Sequence, residues 1–207
     1  MLTKLKKKVQ EWISLEAKIM HKAGFKPNMV SALGVFFGII SGALYWIAGN
    51  VPENMQGNTL LIALFMLLLS GFCDALDGAL ARLYGETTAL GGFLDSMLDR
   101  YVDAAVLCGL ILGGFCDQLW GLLALIGSLL TSYARARSEA SNVPMETVGI
   151  IERAERILIL AFSSIINALW INVPALNIGV IILAIASNIT VIQRILYFHK
   201  KVSIRKP

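Results

Sequence analysis

The sequence predicts an all-α integral membrane protein: a bundle of six transmembrane helices, preceded by an N-terminal amphipathic helix at the membrane surface. Three observations carry this expectation. The 207-residue chain is 57% apolar and has a mean hydropathy of +0.70, outside the ordinary range of soluble domains. Apolar runs close to the roughly 20 residues needed to cross a bilayer recur through most of its length. Charged residues make up only 15% of the chain and cluster beside those runs. A soluble enzyme is thereby excluded, and no room is left for a second domain of any size.

Residues 1–26 form the first element. Lys4, Lys6, Lys7, Lys8, Lys18, Lys22 and Lys26 interleave with Leu2, Leu5, Val9, Trp12, Ile13, Leu15 and Ile19. This pattern suits a helix lying at headgroup level, with Trp12 as its interfacial anchor. The segment lacks the apolar core of about 7–15 residues and the small-residue cleavage site that mark a signal peptide.

The membrane domain follows over 27–199, with spans expected at 29–48, 59–84, 91–113, 118–137, 152–170 and 174–198. Pro27-Asn28 opens the first span and Gly49-Asn50 closes it; a turn-rich stretch, 51–58, precedes the second. Residues 200–207 read as a basic tail. Cys73, Cys108 and Cys116 form no close pair and read as small buried apolar residues. His21 and His199 sit in the basic flanks, where interfacial packing is expected.

Topology follows from charge. All 18 Lys and Arg fall in the N-terminal arm, near residues 82–100 and 135–156, or from Arg194 onward. The other three connections, 50–58, 114–118 and 171–175, carry none. The positive-inside rule then places both termini and both basic junctions in the cytoplasm of a multi-pass cell-membrane protein. Gly34-x-x-x-Gly38-x-x-x-Gly42 in the first span permits close helix approach, expected within the bundle rather than across a dimer. No inverted repeat of broken helices is visible, which weighs against a repeat-built transporter.

The most informative residues are four acids in the second and third spans. They form the pattern Asp74-x-x-Asp77-Gly78-x-x-Ala81-Arg82, eight residues, then Gly91-x-x-x-Asp95-x-x-x-Asp99. One carboxylate at the centre of a membrane helix costs about 2.5–3.5 kcal/mol, so four would cost about 10–14 kcal/mol. Residues three or four apart share a helix face, so each pair projects together. The short 82–90 connection leads one to expect antiparallel neighbours with the pairs facing one another. At a rise of about 1.5 Å per residue, Asp77 lies only about 8 Å from Arg82 along the axis. The expected site is a pocket just beneath the cytoplasmic surface.

Oxygen ligands without His or Cys favour Mg²⁺ or Mn²⁺, and four negative charges balance two such ions. Two metal ions are a usual clamp for displacement at phosphorus. Gly78 leaves space for a ligand beside the helix, and Arg82 stands one turn on, suited to a phosphate oxygen. Structural ion pairs with Arg82 or Arg100 account for one or two of the acids but not for all four. A channel or proton relay would spread its acids through the bilayer depth. A divalent-cation carrier is the rival from another class.

These residues resemble the CDP-alcohol phosphotransferases. Positions 74–99 match that family's eight-residue signature without gap or substitution, and the six spans, Pro27-Asn28 and basic flanks extend the likeness over nearly the whole chain. The resemblance implies transfer of a substituted phosphate from a CDP-linked lipid to an alcohol, with release of CMP. It implies that Asp74, Asp77 and Asp95 hold the metals, and that Asp99 serves as general base while helping one metal. Asn28, Ser31, Asp77, Gly78, Ala81 and Arg82 would surround the CMP portion, although Ser31 stands where the family often has Thr. A homodimer is also implied, and no nucleic-acid partner is expected.

Arginines bear on the acceptor. Arg135, Arg153 and Arg194 come from three helix ends, and converging guanidinium groups suit a dianionic phosphate. Arg137 and Arg156 are equally consistent with headgroup anchoring. The Ser132-Tyr133-x-Arg135-Ala136-Arg137-x-Glu139 and Glu152-Arg153-x-Glu155-Arg156 phrases resemble the branch that makes phosphatidylinositol phosphate and its archaeal ether-lipid counterpart. In that branch Ser132, Arg135, Arg153 and Arg194 would bind the phosphate of inositol phosphate. Glycerol 3-phosphate is the rival acceptor.

Overall fold

The computed structural model describes residues 2–145 and 148–204, with side chains described from residue 12 to residue 203 outside the 146–147 gap. The described residues form seven helices and no strand: α1 (Leu2–Lys22), α2 (Pro27–Ala48), α3 (Glu53–Tyr84), α4 (Ala89–Leu112), α5 (Gln118–Glu139), α6 (Arg153–Leu169) and α7 (Ala175–Ile204). Four of them, α2, α3, α5 and α7, are long and apolar enough to cross a membrane by length and composition. The other two expected spans fall short for definable reasons. α4 carries Asp95, Asp99, Arg100 and Asp103 in its first two-thirds, and α6 has only 17 residues.

Local chemistry sets the helix ends. Pro27 and Pro52 stand at helix starts, where a missing N–H costs nothing. α3 therefore begins at Glu53, inside the stretch read as a turn. Thr88 Oγ1 accepts from Gly91 N at 2.9 Å and starts α4, while Asp117 caps α5 by accepting from Leu119 N and Trp120 N. Glu152 and Glu155 make a capping box for α6. Gly85 ends α3 in the left-handed conformation, φ 68°, with its N–H on Ala81 O. α7 continues to Ile204, into the segment read as a tail; positions 205–207 lie outside the described residues.

The packing of α2 differs from expectation in one important way. The short connection between α3 and α4 lets their acids face one another, as expected, but the two backbones pack mainly on α2 rather than on each other. The glycine stripe makes this possible. A Cβ on Gly34 would stand 3.0 Å from Cys73 Cβ on α3, one on Gly38 2.4 Å from Val102 on α4, and one on Gly42 2.4 Å from Ala105 O on α4. Gly109 reciprocates, since a Cβ there would lie 2.0 Å from Gly42 O. The stripe is thus spent inside the bundle, where α2 packs closely on both acid-bearing helices.

Buried hydroxyls join the helices elsewhere. Tyr45 OH and Ser164 Oγ, both fully buried, lie 2.7 Å apart between α2 and α6. Tyr45→Phe removes this bond and is expected to cost about 0.5–1.5 kcal/mol. Thermal unfolding in detergent measures it, and an unchanged midpoint would mean that the bond contributes nothing. Asn188 Nδ2 donates to Leu123 O, tying α7 to α5 beside Gly127. The core around Tyr45, Leu60, Leu110, Leu176 and Leu183 is closed, while Phe36, Phe65, Phe162 and Leu196 are exposed on the outer faces. Such a surface suits lipid as solvent.

α1 lies against α3. Ala17 is buried in a second apolar cluster with Val30, Cys73, Leu76 and Leu80, and Ile13 and Met20 pack on it. Trp12, Leu15 and Ile19 are exposed, and the His21 ring stacks on Tyr84 at 3.5 Å. The side-chain pattern over 1–11, including Lys4, Lys6, Lys7 and Lys8, lies outside the described residues. Among the cysteines, Cys73 and Cys116 are buried and Cys108 is exposed, so only two of the three fill the core.

The ends of the bundle differ in charge. One cavity of about 640 Å³ brings together Gln56, Asp117, Asn172 and Pro174 from the three connections that lack Lys and Arg. The arginine-bearing helix ends meet at the opposite pole, where the acids also lie.

Candidate active site

Asp74 and Asp77 on α3 and Asp95 and Asp99 on α4 line one small cavity with Ser31, Gly34 and Ser70. Asp74, Asp95 and Asp99 each offer an oxygen, and these atoms lie within 4.8 Å of one another. Asp77 is the most enclosed of the four, only 5% exposed. The carboxylates meet beside α2. Their spacing along each helix puts both members of a pair on the same face.

Beside the acids lies a second cavity of about 180 Å³. It takes in each of the six residues expected around a CMP group: Asn28, Ser31, Asp77, Gly78, Ala81 and Arg82. The Arg82 guanidinium folds back over Gly78, where an added Cβ would stand 3.1 Å from Nη1. Sequence reasoning missed the remaining wall, Glu86, Thr87, Thr88, Gly91 and Gly92. The signal was present in the turn-forming composition of 85–92, the segment that links the two acid-bearing helices.

A third cavity, also about 180 Å³, lies on the other side of the acids. Ser132, Arg135, Arg153 and Arg194, the four expected acceptor-side residues, all line it, together with Asp99, Arg100, Asp103, Thr131, Glu152 and Arg156. Asp99 and Arg153 border both this cavity and the acid cavity. They mark the junction.

The arginines are held differently. Arg194 is 3% exposed; its Nε donates to Val148 O at 2.8 Å and its Nη1 to Thr131 O at 2.5 Å. These bonds fasten the 140–152 connection to α7 and α5, aided by Thr190 Oγ1, which accepts from Ile150 N and Ile151 N. Arg135 is half-exposed, with Nε 2.9 Å from Glu139 Oε1. Arg153 Nη1 lies 2.9 Å from Asp74 Oδ1 and also contacts Asp99. Arg100 lies 3.8 Å from Asp99. Arg137 is exposed, as a headgroup anchor would be, but Arg156 is buried and bonded to Asp103 at 2.7 Å, which removes it from the anchoring role.

A helical membrane bundle with an acid cluster between two polar pockets at one pole defines a multi-pass membrane enzyme of the phosphoryl-transfer kind. The chain belongs to the CDP-alcohol phosphatidyltransferase family, whose model matches residues 25–192, and is a transferase. It is 35% identical over 201 residues, 97% of each chain, to the archaetidylinositol phosphate synthase of Pyrococcus horikoshii. Identity to the archaetidylinositol phosphate synthase of Methanothermobacter thermautotrophicus is 43% over 157 residues, 76% of this chain and 80% of that one. The fold is similar to that of Mycobacterium tuberculosis phosphatidylinositol phosphate synthase with CDP-DAG bound. The TM-score is 0.76 at 29% identity, covering 90% of this chain and 92% of the other. A second structure of that enzyme, in complex with manganese and citrate, gives a TM-score of 0.77 at 30% identity, covering 90% and 88%.

Proposed function

We propose that the chain transfers a lipid-linked phosphate from CDP-archaeol or CDP-diacylglycerol to inositol 1-phosphate and releases CMP. The observation that carries this reading is an acid cavity flanked by two polar ones: it shares Ser31, Asp77 and Asp95 with the cavity lined by the six signature-side residues, and Asp99 and Arg153 with the cavity lined by the four acceptor-side residues. The names of the relatives support the same acceptor.

The acid cluster suits Mg²⁺ or Mn²⁺: it offers hard oxygen ligands only, and it already draws the Arg153 guanidinium against Asp74 and Asp99. Asp74, Asp77, Asp95 and Asp99 would hold two ions. Bound there, such ions neutralise pyrophosphate charge and polarise the phosphorus under attack. The residues of the chain do the rest. Asn28, Ser31, Gly78 and Ala81 enclose the nucleotide, and Arg82 faces its phosphates. Ser132, Arg135, Arg153 and Arg194 hold the acceptor's dianionic phosphate. Asp99, at the junction, takes the proton from the attacking hydroxyl. The transfer is direct, with no covalent lipid–enzyme intermediate.

In this reading the α2–α7 segment makes six crossings, α1 lies on the cytoplasmic surface, and the active site and both termini face the cytoplasm. The protein works as a homodimer, as family resemblance implies. The deciding experiment measures CMP release by purified protein with CDP-archaeol and CDP-diacylglycerol, offering inositol 1-phosphate or glycerol 3-phosphate. Turnover with inositol 1-phosphate, lost in excess chelator and restored by Mg²⁺ or Mn²⁺, is expected. Turnover with glycerol 3-phosphate alone would sink the inositol reading. Metal flux into proteoliposomes without CMP release would point to a carrier.

A further inference from the structure

We propose that Asp103 is a positioning residue for the acceptor, holding Arg153 at the arginine-lined cavity. The inference rests on the reading that this cavity takes the acceptor's phosphate. Asp103 lies outside the eight-residue signature and outside the trio of clustered acids, one helical turn beyond Asp99. Its Oδ2 accepts from Arg156 Nη2 at 2.7 Å, and its Oδ1 stands 3.5 Å from Arg153 Nε. One carboxylate of α4 thus engages two guanidinium groups on successive turns of α6.

Arg153 needs such a partner. Its Nη1 contacts Asp74 and Asp99 while its Nε stands toward Asp103, so the charge balance among the three carboxylates sets where the group points. Asp74 and Asp99 are the oxygens that metal ions require, and they pull the guanidinium toward the acid cavity. Asp103 borders the arginine-lined cavity and not the acid cavity, so it pulls the other way. Its side chain is 15% exposed, in surroundings where Coulomb forces are weakly screened. Asp103 also supplies the counter-charge of buried Arg156, which keeps the start of α6 against α4. Its carboxylate remains available to Arg153 while Asp74 and Asp99 serve the metals.

The test is steady-state kinetics of Asp103→Asn with inositol 1-phosphate and CDP-lipid varied in turn. We expect the acceptor KM to rise about tenfold, as loss of a supporting partner typically gives. The CDP-lipid KM and kcat should stay within about twofold, the signature of lost acceptor binding. In an Arg153→Ala background, Asp103→Asn should add nothing further to the acceptor KM, because residues acting through one group are non-additive. A full additional tenfold rise in that background, or an equal rise in the CDP-lipid KM, would overturn the proposal and leave Asp103 a structural tie to Arg156. Arg153→Ala with an unaltered acceptor KM removes the pocket reading and this inference with it. A raised KM in Arg153→Ala beside an unaltered one in Asp103→Asn removes the inference alone. Should Asp103→Asn not fold, Asp103→Glu keeps the charge but displaces it; a smaller, acceptor-only rise in KM is expected, and no rise would count against the proposal.

Discussion

Asp99→Asn is expected to lower CMP release roughly 10³-fold, within the range that a positioned general base contributes. Asp99 borders both the acid cavity and the arginine-lined cavity, so a hydroxyl held by its phosphate in the latter comes to this carboxylate first. Asparagine keeps the shape but has no basic oxygen, and it removes one anionic ligand. The fold should persist, because Asp74 and Asp103 remain to engage Arg153. Protection of the variant by CMP against heat unfolding checks that the nucleotide pocket survives. Loss of less than tenfold in turnover, with CMP protection intact, would show that the proton leaves by another route.

Gly109→Leu is expected to have a large effect on stability. Even a Cβ at this position would fall 2.0 Å from Gly42 O, a backbone atom that cannot turn aside. Overpacking of this kind typically costs about 1–3 kcal/mol, and more where backbone must move. Forcing α4 away from α2 also disturbs the acid cluster, because α2 packs on both helices that carry it. The variant should therefore melt at a lower temperature, and its folded fraction should be inactive. Gly92→Leu is the natural control, since nothing lies within 4 Å of a Cβ there. Equal melting of the two variants would refute a stabilising role for the close α2–α4 contact.

Much of the site was legible before the fold was known, because its residues report through spacing and charge. The 74–99 signature placed acids on shared faces, and the distribution of Lys and Arg sorted the connections between two poles. The arginines at 135, 153 and 194 could be grouped because each reads from the sequence as lying near the cytoplasmic end of an apolar span. What escaped were matters of partner choice. A short connection implies helices packed on one another, but Gly34, Gly38 and Gly42 let α2 come so close that α3 and α4 pack mainly on it. Asp103 continued the spacing of Asp95 and Asp99, yet it lay beyond the signature and read as part of a span. Arg156 looked like a surface anchor because its partner is 53 positions away. Cys108 faces outward because composition alone does not tell which side of a helix a small residue occupies.

The two large pockets at the charged pole draw on different halves of the chain. The wall of the cavity around Gly78 and Arg82 comes entirely from residues 27–95, whereas the arginine-side wall, apart from Asp99, Arg100 and Asp103, comes from residues 131–194. Partner choice can therefore drift in one half while the chemistry stays constant in the other. Exchanging α5–α7 between relatives should transplant acceptor preference without disturbing the donor, provided the graft brings a match for the α4 carboxylate that receives it.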